Sequence, residues 1–79
     1  MSIEETIAEV QNIFRDVLDD DDISIEYDTT AEDVDDWDSL NHIQLVVAIE
    51  KHFNIRFNAS EIQGFGNVGE MCEGIINRS

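Results

Sequence analysis

The sequence predicts an all-α fold, a small four-helix bundle of three longer helices and one short one, and three observations point to it. Proline is absent, and the four glycines all lie between Gly64 and Gly74, so the first 63 residues lack the strongest helix breakers. Ser2, Asn58 and Asn67 are each followed three residues later by a glutamate, the spacing of a helix-starting capping box. Apolar residues then recur at the three- and four-residue intervals of a buried helical face. With 79 residues there is room for one small core, so residues 1–79 are expected to form a single domain. Cys72 is the lone cysteine, and together with His42 and His52 it does not match the common zinc spacings, which leaves helix packing to hold the chain together.

Helix 1 is placed at residues 3–18 by the Ser2 and Glu5 cap and by Ile3, Ile7, Val10, Phe14, Val17 and Leu18. It should end at Asp19-Asp20-Asp21-Asp22, where four carboxylates meet the negative end of the helix dipole and repel one another. From Asp19 to Asp38 there are eleven acidic residues and no Lys or Arg, which reads as a long acidic loop between helix 1 and helix 2. A loop of about 20 residues is long for a compact domain and points to a functional crossover. Ile23, Ile25, Tyr27, Val34 and Trp37 are spaced along it as anchors onto a core, with Trp37 fixing the entry of the next helix.

Helix 2, residues 39–53, opens on Asp38 as N-cap and is the most apolar part of the chain. Leu45, Ile49 and Phe53 make one apolar line and Leu40, Ile43 and Val47 another, more than one core face requires. A bundle this small cannot bury both, so the second line is expected to be a partner surface. A short helix over 59–63 follows Asn58 and stops at Gly64-Phe65-Gly66. Helix 4, residues 68–77, buries Val68, Met71, Cys72, Ile75 and Ile76, with Cys72 a small core residue.

A formal net charge of −15 repels phosphate backbones and anionic lipid, so neither nucleic acid nor membrane is an expected partner. No segment is apolar enough to span a bilayer and the N-terminus does not read as a signal peptide, so a cytoplasmic monomer is expected. Ser39 and His42, with Asp38 beside them, have the spacing of a nucleophile and base on one helix face. The sequence offers them no evident oxyanion hole or cleft, so a hydrolase is a distant reading. A calcium loop starting at Asp19 fails, because its sixth and twelfth positions hold Ser24 and Thr30 instead of Gly and Glu. His42 is expected on the solvated side of helix 2.

The run Trp37-Asp38-Ser39-Leu40-Asn41-His42-Ile43-Gln44-Leu45, continuing through Ala48 to Ile55, resembles the acyl carrier protein family around its modified serine. The tripeptide Asp-Ser-Leu opens a helix that closes on Glu-x-x-Phe-x-Ile, and the likeness extends over residues 3–77. It implies a 4′-phosphopantetheine arm on Ser39, moved there from coenzyme A by a phosphopantetheinyl transferase that Asp38 helps to recruit. The arm's thiol would hold cargo as a thioester, and the carrier itself would supply no catalysis. By the same resemblance Leu40, Ile43 and Val47 dock an acyl- or aminoacyl-loading enzyme and the synthases or transferases of a pathway. Independently of the resemblance, a first-turn serine exposes its hydroxyl where the helix N-terminus favours a phosphate. Asn41, His42, Gln44 and Lys51 depart from the strongly acidic helix of fatty acid synthesis carriers, which points to a specialised pathway such as polyketide, modified-lipid or amino-acid-loading synthesis. An aminoacyl or peptidyl carrier is the alternative within carriers. Outside them, the alternative is a noncatalytic acidic adaptor in which Ser39 is only a cap.

Overall fold

The structure, a computed structural model, describes residues 2–78. Four helices follow in order, α1 over Ile3–Val17, α2 over Ser39–Phe53, α3 over Ala59–Gly64 and α4 over Val68–Arg78. Every boundary lies within one residue of the expectation. α1 packs against both α2 and α4, and their buried faces meet at Val10, Phe14, Leu45, Ile49, Val68, Met71 and Ile75.

The helix ends account for this agreement. At the start of α1 the Ser2 hydroxyl accepts from Glu5 N at 3.1 Å while the Glu5 carboxylate accepts from Ser2 N at 3.2 Å. At its end Asp19 takes the left-handed conformation, φ 52°, and Asp20 N donates to Arg15 O at 3.0 Å. That bond closes a Schellman turn, and aspartate tolerates the left-handed position better than most non-glycine residues. α2 ends in the same way, with Asn54 at φ 57° and Ile55 N donating to Glu50 O at 3.0 Å. The third expected capping box is shifted. Asn67 Oδ1 accepts from Glu70 N at 2.8 Å, but the Glu70 carboxylate accepts from Gly66 N rather than from Asn67 N.

The acidic loop is pinned down at both ends. Ile23, Ile25, Val34 and Trp37 are buried, Arg15 Nε donates to Ile23 O at 2.7 Å, and Ile25 N donates to Gln11 Oε1 at 3.0 Å. Further along, Thr29 O accepts from Val68 N and Tyr27 O from Gly69 N, both at 2.8 Å, so loop carbonyls satisfy first-turn amides of α4. Tyr27 departs from the expectation of a core anchor, being 40% exposed. It holds through its backbone and one ring face, which lies so close over Gly69 that a Cβ there would come within 2.4 Å of it.

Thr6, Ile13, Ile55 and Phe57 are buried although the helical pattern did not single them out. The Thr6 hydroxyl donates to Ser2 O at 2.8 Å, which satisfies its polar atom and leaves its methyl free to pack. Phe57 lies edge-on to Phe65 with ring centroids 5.0 Å apart, and its amide donates to Glu50 Oε2 at 2.8 Å. α3 has no buried residue. Arg78 ties it to α4 by pairing with Glu61 while stacking on the Phe57 ring at 4.9 Å. No described helix is long and apolar enough to cross a membrane.

Candidate functional site

The site is built where the acidic loop turns into α2. Trp37 is buried edge-on against Phe14, ring centroids 5.0 Å apart, which anchors the loop's end on the core as the sequence suggested. Asp38 is extended, and its Oδ1 accepts from Asn41 N at 2.8 Å while its carbonyl accepts from His42 N at 2.8 Å. Asn41 Nδ2 closes the turn by donating to Asp36 O at 2.8 Å. Ser39 is therefore held as the first residue of α2, and it is exposed.

This arrangement suits a phosphate-linked arm. The amides of Ser39 and Leu40 belong to the first turn and have no intrahelical acceptor, and the dipole presents its positive end there. The first turn of α2 contains no acidic residue, and the neighbouring Asp38 carboxylate is engaged by Asn41 N. A groove of about 560 Å³ runs beside Ser39, walled by Trp37, His42 and Ile43 on one side and Ile62 and Phe65 on the other.

On α2, Leu40, Ile43 and Val47 are 71%, 52% and 42% exposed, Ile43 lining this groove, whereas Leu45, Val46 and Ile49 on the same helix are buried. The two apolar lines thus divide as their spacing suggested, except that Phe53 is only half-buried. Ser39, Asp38 and the exposed line fall on one end and one face of a single helix.

His42 corrects the sequence reading. It is half-buried rather than solvated, with Nδ1 2.9 Å from Trp37 Nε1 and Nε2 2.8 Å from Ile62 O. Both ring nitrogens are engaged away from Ser39, so the ring is not placed to take a proton from its hydroxyl. The nucleophile-and-base reading has no geometric support. Cys72 is fully buried, and burial pushes its thiol up to about 12, which leaves it protonated and inert.

Sequence reasoning missed Ile62, Phe65 and the Trp37–His42 contact as parts of this site. Phe65 between two glycines read as the end of a helix, and no local pattern joins residues 42 and 62.

Comparison with known proteins identifies the family. The family described as "Phosphopantetheine attachment site" matches residues 8–75. Among solved structures, the chain is similar to the holo acyl carrier protein from Geobacter metallireducens, at 40% identity over 92% of this chain and 84% of that one, with a TM-score of 0.86. A search of curated proteins returned no match. Members of such a family bear 4′-phosphopantetheine covalently and meet a phosphopantetheinyl transferase and pathway enzymes. An exposed first-turn serine, open amides and an adjoining groove therefore sit in a chain that belongs to the acyl carrier protein family, a phosphopantetheine-bearing carrier and not a catalyst.

Proposed function

We propose that Ser39 is the attachment residue and that the chain, as one domain over residues 1–79 working in the cytoplasm, carries acyl intermediates for a specialised biosynthetic pathway. The observation that carries this reading is an exposed hydroxyl at the N-terminus of α2, at the mouth of a largely apolar groove. On transfer, Ser39 Oγ forms the new phosphodiester bond, the diphosphate bond of coenzyme A breaks, adenosine 3′,5′-bisphosphate leaves, and the hydroxyl proton goes to the transferase or to solvent. Asp38 holds the turn rigid and offers the transferase a carboxylate beside the reacting hydroxyl.

The partner surface is Leu40, Ile43 and Val47, and its neighbourhood is poor in charge. Between Ser39 and Phe53 the only formally charged residues are Glu50 and Lys51, and Glu50 is occupied with the Phe57 amide. A partner that reads α2 would therefore gain more from apolar contact than from a basic patch. The apolar groove favours acyl over aminoacyl cargo, and the aminoacyl or peptidyl carrier is the competing assignment.

Incubation with coenzyme A and a broad-specificity phosphopantetheinyl transferase, followed by mass spectrometry, tests the attachment. Wild type should gain one phosphopantetheine and Ser39→Ala none. A folded wild-type protein that gains nothing would favour the acidic adaptor instead. Loading by a generic fatty acid synthase should fall well below that of the synthase's own carrier, and equal rates would remove the case for a dedicated pathway. Efficient loading by an amino-acid-adenylating enzyme would favour the aminoacyl assignment.

A further inference from the structure

His42 stands one turn beyond Ser39 and joins three segments that meet at the groove. Its Nδ1 lies 2.9 Å from Trp37 Nε1, at the end of the acidic loop, and its Nε2 lies 2.8 Å from Ile62 O, in α3. An indole N–H can only donate and a carbonyl can only accept. Both contacts are made together by one form of the ring alone, the neutral tautomer with its proton on Nε2. The ring also stacks near-parallel to Trp37, centroids 6.0 Å apart, and meets Phe65 edge-on at 6.4 Å. Six-residue α3 has no fully buried residue and meets the core through half-buried Ile62 alone, so side-chain ties add to that contact in setting where it sits. Arg78 fastens it through Glu61, and His42 fastens the following residue from the groove side.

We propose that His42 is a positioning residue that, as the Nε2–H tautomer, latches α3 to the end of the acidic loop and so fixes the far wall of the groove beside Ser39. Its bearing on cargo rests on the reading that Ser39 bears the arm, but the latch itself is present before any modification. The test therefore uses the full unmodified chain, at neutral pH, and is separate from the mass-spectrometric test of Ser39.

Nitrogen-15 NMR should show His42 as a single Nε2–H tautomer, with the Trp37 indole proton protected from exchange. In His42→Ala the indole protection should disappear, and amides of α3 should exchange on the order of tenfold faster while those of α1 and α4 keep their rates. His42→Gln presents an acceptor and a donor at the end of one side chain and should restore protection in both places. A His42 ring that averages between its two tautomers would overturn the latch. Unchanged α3 exchange in His42→Ala, or no restoration by glutamine, would also overturn it. Should the alanine variant fail to fold, the wild-type tautomer and indole measurements decide the matter alone.

Discussion

Asp38 does two things that a pair of substitutions can separate. Its Oδ1 caps α2 by accepting from Asn41 N, and its charge stands beside the proposed attachment hydroxyl. Asp38→Asn keeps a capping oxygen and removes the charge, whereas Asp38→Ala removes both. The alanine variant should lose about 1 kcal/mol of stability in urea unfolding and the asparagine variant much less. Both should slow transfer of phosphopantetheine to the chain. Normal transfer to Asp38→Asn would reduce Asp38 to a plain cap. This residue was legible in the sequence because a cap acts within three residues of itself. His42 was not, because the same histidine in a solvated helix would give an identical local pattern, and only a fold that brings Ile62 O to its Nε2 makes it structural.

At the scale of elements, α1 and α3 share a device that acid should weaken. The Glu5 carboxyl is held below its ordinary value of 4.5, chiefly by the Ser2 amide and then by the Ser2 hydroxyl. The Glu61 carboxyl is likewise held low, first by the Asn58 amide and then by Arg78. A carboxyl that binds its proton less readily folded than unfolded contributes stability above the unfolded value and loses it as pH falls through the folded one. Protection of the first turn of α1 and of α3 should therefore fall below about pH 4.5, relative to α4, when amide exchange is followed residue by residue. The local comparison matters because acid also relieves the repulsion among carboxylates over the whole chain. Equal loss of protection in all four helices would show that the caps are not where acid acts. α3 is the more sensitive of the two, since only half-buried Ile62 packs it on the core once Glu61 is neutral.

At the scale of the molecule, a formal charge of −15 is folded into a body 28 × 25 × 21 Å across, so like charges lie within a Debye length of one another at low salt. Raising sodium chloride from about 0.02 M to about 0.5 M should move the urea midpoint upward by screening that repulsion. A midpoint that falls would mean that ion pairs outweigh the repulsion. The sequence by itself determined the four helices, their ends and the acidic crossover. The information for these lies in contacts within a few residues of each other, such as Ser2 with Glu5, Asp38 with Asn41, and Asn58 with Glu61. It also placed Ser39 at the start of α2 and divided that helix into a buried and an exposed apolar line. Only the tertiary structure decided what surrounds that serine. The groove wall joins residues twenty apart in the chain, His42 to Ile62, and the loop closes on α4 through Tyr27 and Gly69. Such contacts depend on how finished helices pack, and no spacing along the chain encodes them.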